Sequence, residues 1–272
     1  MTDLPVFDAH VHVYPDEIAP KATAGLHRFY GDLEIHGKGT FTELTSLSRG
    51  SGVRGFLLLA VATNAHQVAH VNDFAAGAVA AARNAGFLAA GFAGMHQDLP
   101  DPVAELKRAV ALGLSGVKIH PDIQGVDLDD PRFFPLYAAL EARGLPVCFH
   151  MGDNRAEYGF SRAERLPGLT RRFPRLKIIA AHLGGYRAWD HAKALAGCPN
   201  VWFDASSTMD FLSPGEEVRL IRALGVRRVM FGTDYPVRSA REELPRFLAL
   251  PGLNDEEKKA ILYDNAVDFL GL

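Results

Sequence analysis

Short, almost unbroken apolar runs recur along the chain, separated by longer segments whose apolar residues repeat every three or four positions. The runs read as strands buried on both faces, and the segments between them as helices that lay one apolar stripe over those strands. Strands are expected over 6–13, 55–61, 87–94, 116–120, 145–150, 176–182, 201–204 and 228–232. Helix starts are marked by Thr40-x-x-Glu43, Asn64, Asp101-Pro102, Asp130-Pro131 and Ser213-Pro214-Gly215-Glu216, and helix stops by Gly86, Gly113, Gly144 and Gly225. Strict alternation of strand and helix demands a parallel sheet. Eight such units in 272 residues predict an α/β fold, a (β/α)8 TIM barrel forming a single domain over residues 1–272. An open doubly wound sheet would carry a glycine-rich phosphate turn after its first strand, and no such turn occurs. Segment 14–38 is too long for a plain connection, so it is expected to form an active-site loop or lid with short helices.

The first strand departs from the apolar pattern. In Val6-Phe7-Asp8-Ala9-His10-Val11-His12-Val13 the polar residues fall at every second position, which places Asp8, His10 and His12 on one face. Two imidazoles about 7 Å apart along one strand face can converge on a single metal ion. The ends of the other strands extend the pattern: Lys118 and His120, His150, His182, Asp204-Ala205-Ser206-Ser207, and Gly232-Thr233-Asp234-Tyr235-Pro236. Catalytic residues of such barrels lie at the carboxyl ends of strands. A packed core gives no reason to repeat histidine and aspartate at that one level, so a metal site is expected there.

Composition narrows the partners. The chain is 48% hydrophobic and 22% charged with a formal net charge of -3, which offers no electrostatic case for nucleic acid or an anionic membrane. No apolar run is long enough to span a bilayer, and Met1-Thr2-Asp3-Leu4-Pro5 leads into the first strand without a signal peptide. Two cysteines, Cys148 and Cys198, exclude a disulfide framework and point to the cytoplasm. The expected partner is a small-molecule substrate, with a homo-oligomer left open.

The set Asp8-x-His10-x-His12, Gly-Val-Lys118-Ile-His120-Pro, His150, Ala-His182-Leu-Gly-Gly and Phe-Gly-Thr-Asp234-Tyr-Pro resembles the amidohydrolase superfamily. It is nearest the branch that also holds aminocarboxymuconate-semialdehyde and resorcylate-type decarboxylases. The resemblance runs from about Val6 to Asn265-Ala266. It implies a divalent metal, most simply Zn²⁺, one ion being favoured over two, held by His10, His12, His150 and Asp234. His182 would ligate a second metal or hold water or substrate. Asp234 would also take a proton from a metal-activated water, and Asp8 would orient an imidazole from behind. Lys118 is either an ammonium that binds a substrate carboxylate or a carboxylated bridge between two metals, the ammonium being favoured. His120, Arg155, Tyr158, Arg187, Trp189 and Arg238 are candidate contacts for a small carboxylated or cyclic substrate. The leading expectation is a metal-dependent hydrolase acting on a C–N or C–O bond, with catalytic Asp234, His182 and Lys118; the alternative is a non-oxidative decarboxylase. The decarboxylases carry a tryptophan after the strand-five histidine, where this chain has Met151-Gly152-Asp153.

Overall fold

The computed structural model describes residues 4–31 and 33–272; Met1-Thr2-Asp3 and Asp32 lie outside the described residues, and with them the first positions of the expected domain and one position of the expected lid. Eight parallel strands form one sheet in the order β1 to β8: Val6–Val11, Val53–Leu59, Leu88–Gly94, Gly116–Ile119, Val147–Phe149, Ile178–Ala180, Val201–Asp204 and Val229–Met230. Backbone bonds from Ala9 N to Phe231 O, Asp234 N to His10 O and His12 N to Tyr235 O join the last strand to the first and close the barrel. The (β/α)8 architecture and single domain expected from the alternation are therefore present. No helix among the described residues is long and apolar enough to cross a membrane.

The caps work as the sequence implies. Thr40 accepts from Glu43 N to open α2 (Phe41–Ser48), and Asp101 accepts from Ala104 N to open α4 (Pro102–Ala111). A reciprocal capping box between Ser213 and Glu216 opens α8 (Pro214–Leu224). The segment after β1 holds a longer element than short helices: α1 (Ala19–Tyr30) runs for 12 residues, and its last turn reaches the barrel mouth. The chain ends in α10 (Asp255–Lys259) and α11 (Asn265–Leu270), joined by a π turn over Ala260–Asp264.

Alternating side chains divide the core in two. Leu57, Leu59, Ala90, Phe92, Cys148, Ile179 and Met230 belong to an inner cluster, while Phe56, Leu58, Ala89, Ala93, Val117, Val147, Phe149 and Ile178 pack outward under the helices. α11 adds Phe269 to the inner cluster, where it meets Trp202 of β7. The uniform alternation expected of β1 is broken. Its register to β2 shifts between Val6 and Phe7 and again between Asp8 and Val11, so Phe7 and Ala9 join the inner cluster but Val11 the outer one. A bulge of this kind re-aims the residues that follow it, here His10 and His12.

One buried carboxyl outside the mouth carries a measurable consequence. Glu217 on α8 is fully buried; its Oε1 lies 2.8 Å from Thr208 Oγ1, and its Oε2 has no hydrogen-bond partner among the described residues. Thr208 Oγ1 also lies 2.8 Å from Ala205 O, and its single hydrogen cannot serve both oxygens. A protonated Glu217 resolves this by donating to Thr208. Burial, with Glu243 nearby, accordingly pushes Glu217 up to about 7. The folded state thus favours the proton, and the stability it adds is full below the ordinary glutamate range and lost as pH rises through about 7. Glu217→Gln, neutral and of equal size, is expected to flatten the decline in unfolding free energy between about pH 5 and pH 8 by on the order of 2 kcal/mol. Urea melts across that range check it, and parallel pH profiles for the two proteins would contradict it.

Candidate functional site

The carboxyl ends of the strands bring His10, His12 and Asp234 together. His10 Nε2 lies 3.2 Å from His12 Nε2, and each lies 3.5 Å from Asp234 Oδ1. Gly232 is what allows the approach of β8 to β1: a Cβ there would sit 2.9 Å from the His10 Cβ and 3.2 Å from the Ser206 Cβ. Local backbone strain marks the same region. Among the described residues, the non-glycine residues at positive φ are His182, Leu183, Arg187, Ser207 and Asp234, all just beyond strands six, seven and eight. Such conformations persist only where the surroundings hold them, and they cluster at functional sites.

The proton on each imidazole can be assigned from its partner. His10 Nδ1 donates to Asp204 Oδ2 at 2.9 Å, and His12 Nδ1 to the carbonyl of Leu59 at 2.7 Å. His182 Nδ1 donates to Ser206 O at 3.0 Å, and His150 Nε2 to Gly152 O at 3.1 Å. A neutral imidazole has one proton, so the facing nitrogens carry lone pairs. His10 Nε2 then confronts His12 Nε2, and His150 Nδ1 confronts His182 Nε2 at 3.0 Å. Burial keeps three of these rings neutral: it lowers His10, helped by Lys118, sends His150 well below the usual histidine range, and pushes His182 down to about 4. Burial alone would raise Asp204 and Asp234. The neighbouring His10 imidazole, with the hydrogen bond from His10 Nδ1 to Asp204, outweighs it and holds both below the usual carboxylate range. Two lone pairs and an ionised carboxylate oxygen converging without a proton between them form the donor set that suits a divalent cation.

The other residues singled out in the sequence take varied places. Lys118 is 1% exposed, with Nζ 3.4 Å from His10 Nε2 and 3.6 Å from Cys148 Sγ. Asp8 accepts from Thr233 N at 3.0 Å and from Thr233 Oγ1 at 2.7 Å, and burial pushes its carboxyl up to about 7. The orientation of an imidazole comes from Asp204 instead. Asp204 stands at the end of β7, is itself held by Ser206 Oγ at 2.5 Å, and was visible in the sequence only as one polar strand end among several. Ser207 donates to Asp234 Oδ2 at 2.7 Å. His120 stacks on His150, with ring centroids 3.9 Å apart. Trp189 donates to His182 O at 2.8 Å, which fixes the strained His182 backbone.

Three of the cations have protein partners. Arg155 grips Asp153 through two nitrogens, donates to the carbonyl of Phe29, and lies over the Tyr158 ring at 4.1 Å. It thereby caps the C-terminal end of α1, where a guanidinium is favoured. Arg238 pairs with Asp210 and His36, and Arg187 lies 4.7 Å over the Phe211 ring. Phe29 and Tyr30 carried no signal in the sequence, because nothing in the loop pattern says where α1 will land. Tyr186 supplies an aromatic wall 5.8 Å from His150 and 5.6 Å from His182, on the side where the chain has Met151 in place of a tryptophan.

Replacing the partner behind His10 tests this geometry. Asp204→Asn keeps the shape but loses the charge that orients and enriches the His10 nitrogen, so divalent-metal affinity is expected to fall about 10–100-fold with the fold intact. Competition against a chelating indicator measures it, and unchanged affinity would remove Asp204 from the site.

Comparisons with known proteins agree with the fold and reorder the chemistry. The chain is 27% identical over 207 residues to 2-amino-3-carboxymuconate-6-semialdehyde decarboxylase of Dictyostelium discoideum, a match covering 62% of this chain and 57% of that protein. It is 31% identical over 217 residues to decarboxylase orsB of Emericella nidulans, covering 61% and 65%. The matches thus span less than two thirds of either relative. The crystal structure of dihydroxybenzoic acid decarboxylase from Polaromonas sp. JS666, with bound manganese and the inhibitor 2-nitroresorcinol, superposes with a TM-score of 0.72 at 18% identity, covering 99% of this chain and 97% of that one. These relatives are decarboxylases, so hydrolysis of a C–N or C–O bond, the leading expectation from the sequence, is withdrawn. The physical reason is that the strand-end motifs encode the metal-binding barrel, which hydrolases and carboxy-lyases share, and not the bond broken above it. With it goes the need for Asp234 to take a proton from an attacking water. The model of the amidohydrolase family matches residues 7–272, and the chain belongs to that family.

Proposed function

We propose that this protein is a metal-dependent, non-oxidative decarboxylase of a small carboxylated aromatic or enolic substrate. The observation that carries the proposal is the convergence of His10 Nε2, His12 Nε2 and Asp234 Oδ1 without an intervening proton, in a chain whose relatives are decarboxylases. His10, His12 and Asp234 would hold one divalent ion, and zinc and manganese both suit nitrogen and carboxylate donors; His150, whose Nδ1 faces His182 Nε2, stands outside that group. When bound, the ion supplies a Lewis acid that polarises substrate oxygens and draws off charge. Lys118, buried beside His10, adds positive field at the floor of the site and favours an anionic substrate. Segment 14–38 acts as a lid, with α1 keeping water from the reacting carbon.

The bond that breaks joins the ring or enol carbon to the carboxylate. Carbon dioxide leaves without its bonding electron pair, which stays on the carbon, and one proton replaces it. His182 is the residue suited to deliver that proton, because its Nδ1 is tied to Ser206 O and its Nε2 carries a lone pair, 3.0 Å from the lone pair of His150 Nδ1, that can take up a proton and pass it on.

A screen of hydroxybenzoates for CO₂ release, with zinc- and manganese-loaded protein, tests the activity. In D₂O the product is expected to carry one deuterium at the carbon that lost CO₂. His182→Asn is expected to slow release about 10²–10⁴-fold while keeping its metal by elemental analysis. His12→Ala is expected instead to lose metal, with turnover partly restored by excess ion. A His182→Asn variant with near-native turnover would overturn the proton assignment.

A further inference from the structure

The lid helix ends inside the site, and its last residue has a hydroxyl whose hydrogen is unused. Tyr30 Oη lies 2.9 Å from His120 Nε2, its one hydrogen-bond partner among the described residues. The direction of that bond follows from the other side of the ring. His120 caps the short turn Pro121–Gln124 after β4, and its Nδ1 accepts from the backbone N–H of Ile123 at 3.3 Å. A backbone N–H can only donate, so Nδ1 carries the lone pair and the neutral ring bears its proton on Nε2. Nε2 therefore donates to the phenol oxygen, and the phenol hydrogen is left to donate elsewhere.

The surroundings hold this hydroxyl in place. The His120 ring is stacked on His150 at an interplanar angle of 9°. The Tyr30 ring packs 5.5 Å from Tyr186 and 6.1 Å from His150. One residue earlier, the Phe29 carbonyl is gripped by Arg155, whose charge is balanced by Asp153, itself 1% exposed. A donor fixed on three sides and lacking an acceptor costs free energy until one arrives. An anionic oxygen is the acceptor that rewards it most.

We propose that Tyr30 is a substrate-binding and specificity-determining residue: oriented by His120, its hydroxyl donates to the carboxylate of the substrate as the lid covers the site. The proposal rests on the decarboxylase reading for its substrate class, but binding tests it without turnover. Two pairs of probes differ only in the carboxylate, 2,6-dihydroxybenzoate against resorcinol and 2-hydroxybenzoate against phenol. Each is titrated calorimetrically into metal-loaded wild type and Tyr30→Phe, a change that keeps the ring and its packing. Both carboxylates are expected to bind Tyr30→Phe about 10-fold more weakly, the worth of one charge-assisted hydrogen bond, while resorcinol and phenol change less than about twofold. Equal weakening of carboxylated and plain probes would assign Tyr30 to lid packing and overturn the proposal. So would unchanged binding of all four, or a wild type that binds neither carboxylate. Selective weakening in a protein that releases no CO₂ would sustain Tyr30 as the carboxylate donor and sink the decarboxylase reading alone.

Discussion

The hydrogen bond from His10 Nδ1 to Asp204 Oδ2, 2.9 Å long and shut away from water, decides what the barrel mouth can do. It commits the one proton of His10 to the outer side of the ring and leaves the inner nitrogen bare. The Leu59 carbonyl does the same for His12, Ser206 O for His182 and Gly152 O for His150. A cluster of four imidazoles, three of them buried, with scattered protons would hydrogen-bond to itself and satisfy its own polar groups. With the protons all drawn outward, lone pairs face lone pairs; Lys118 Nζ, 3.4 Å from His10 Nε2, relieves this in part, and a bound cation or a transferred proton satisfies the rest. Asp204 in turn relies on Ser206 Oγ and on the backbone N–H groups of Ser206 and His182, so the charge that polarises His10 is itself well solvated by protein.

Closure of the barrel and construction of the site are the same event. The bonds that join β8 to β1 run through His10 O and Tyr235 O, beside the converging side chains of His10, His12 and Asp234. The approach is close enough that only glycine fits at position 232. Strain at His182, Ser207 and Asp234 is then held by specific partners: Trp189 on the His182 carbonyl and Ser207 Oγ on Asp234. The first long segment completes the mouth from above, tied down where Arg155 meets the end of α1.

What could be read from the sequence follows from how local each determinant is. Strand runs, capping residues and stop glycines act within a few positions, and the eight strands and their order were legible from them. The residues that meet at the mouth, His10, His12 and Asp234, were legible as polar strand ends, because a strand end is a fixed place in a parallel barrel. Asp204 shows the limit: its position was plain, but its bond to His10 spans 194 residues and exists only once the barrel closes. Asp8 shows another, since the bulge in β1 breaks the period-two rule that had put it with the ligands, and it bonds to Thr233. Arg155 and Arg238 looked available for a substrate carboxylate because Asp153 and Asp210 could not be paired with them from spacing alone. Tyr30 was invisible, because the landing place of a helix in a long connection depends on tertiary packing. The bond cleaved was not encoded in the metal motif at all.

The convergence of bare imidazole nitrogens on a carboxylate is the claim on which the rest stands. X-ray absorption fine structure on the zinc-loaded protein addresses it directly, since it reads the atoms bound to the metal and not the activity. The geometry predicts a shell of nitrogen and oxygen near 2.0–2.1 Å, with the multiple-scattering signature of at least two imidazoles and no sulfur. A sulfur shell near 2.3 Å, which would bring in Cys148, or a first shell without imidazole would contradict it.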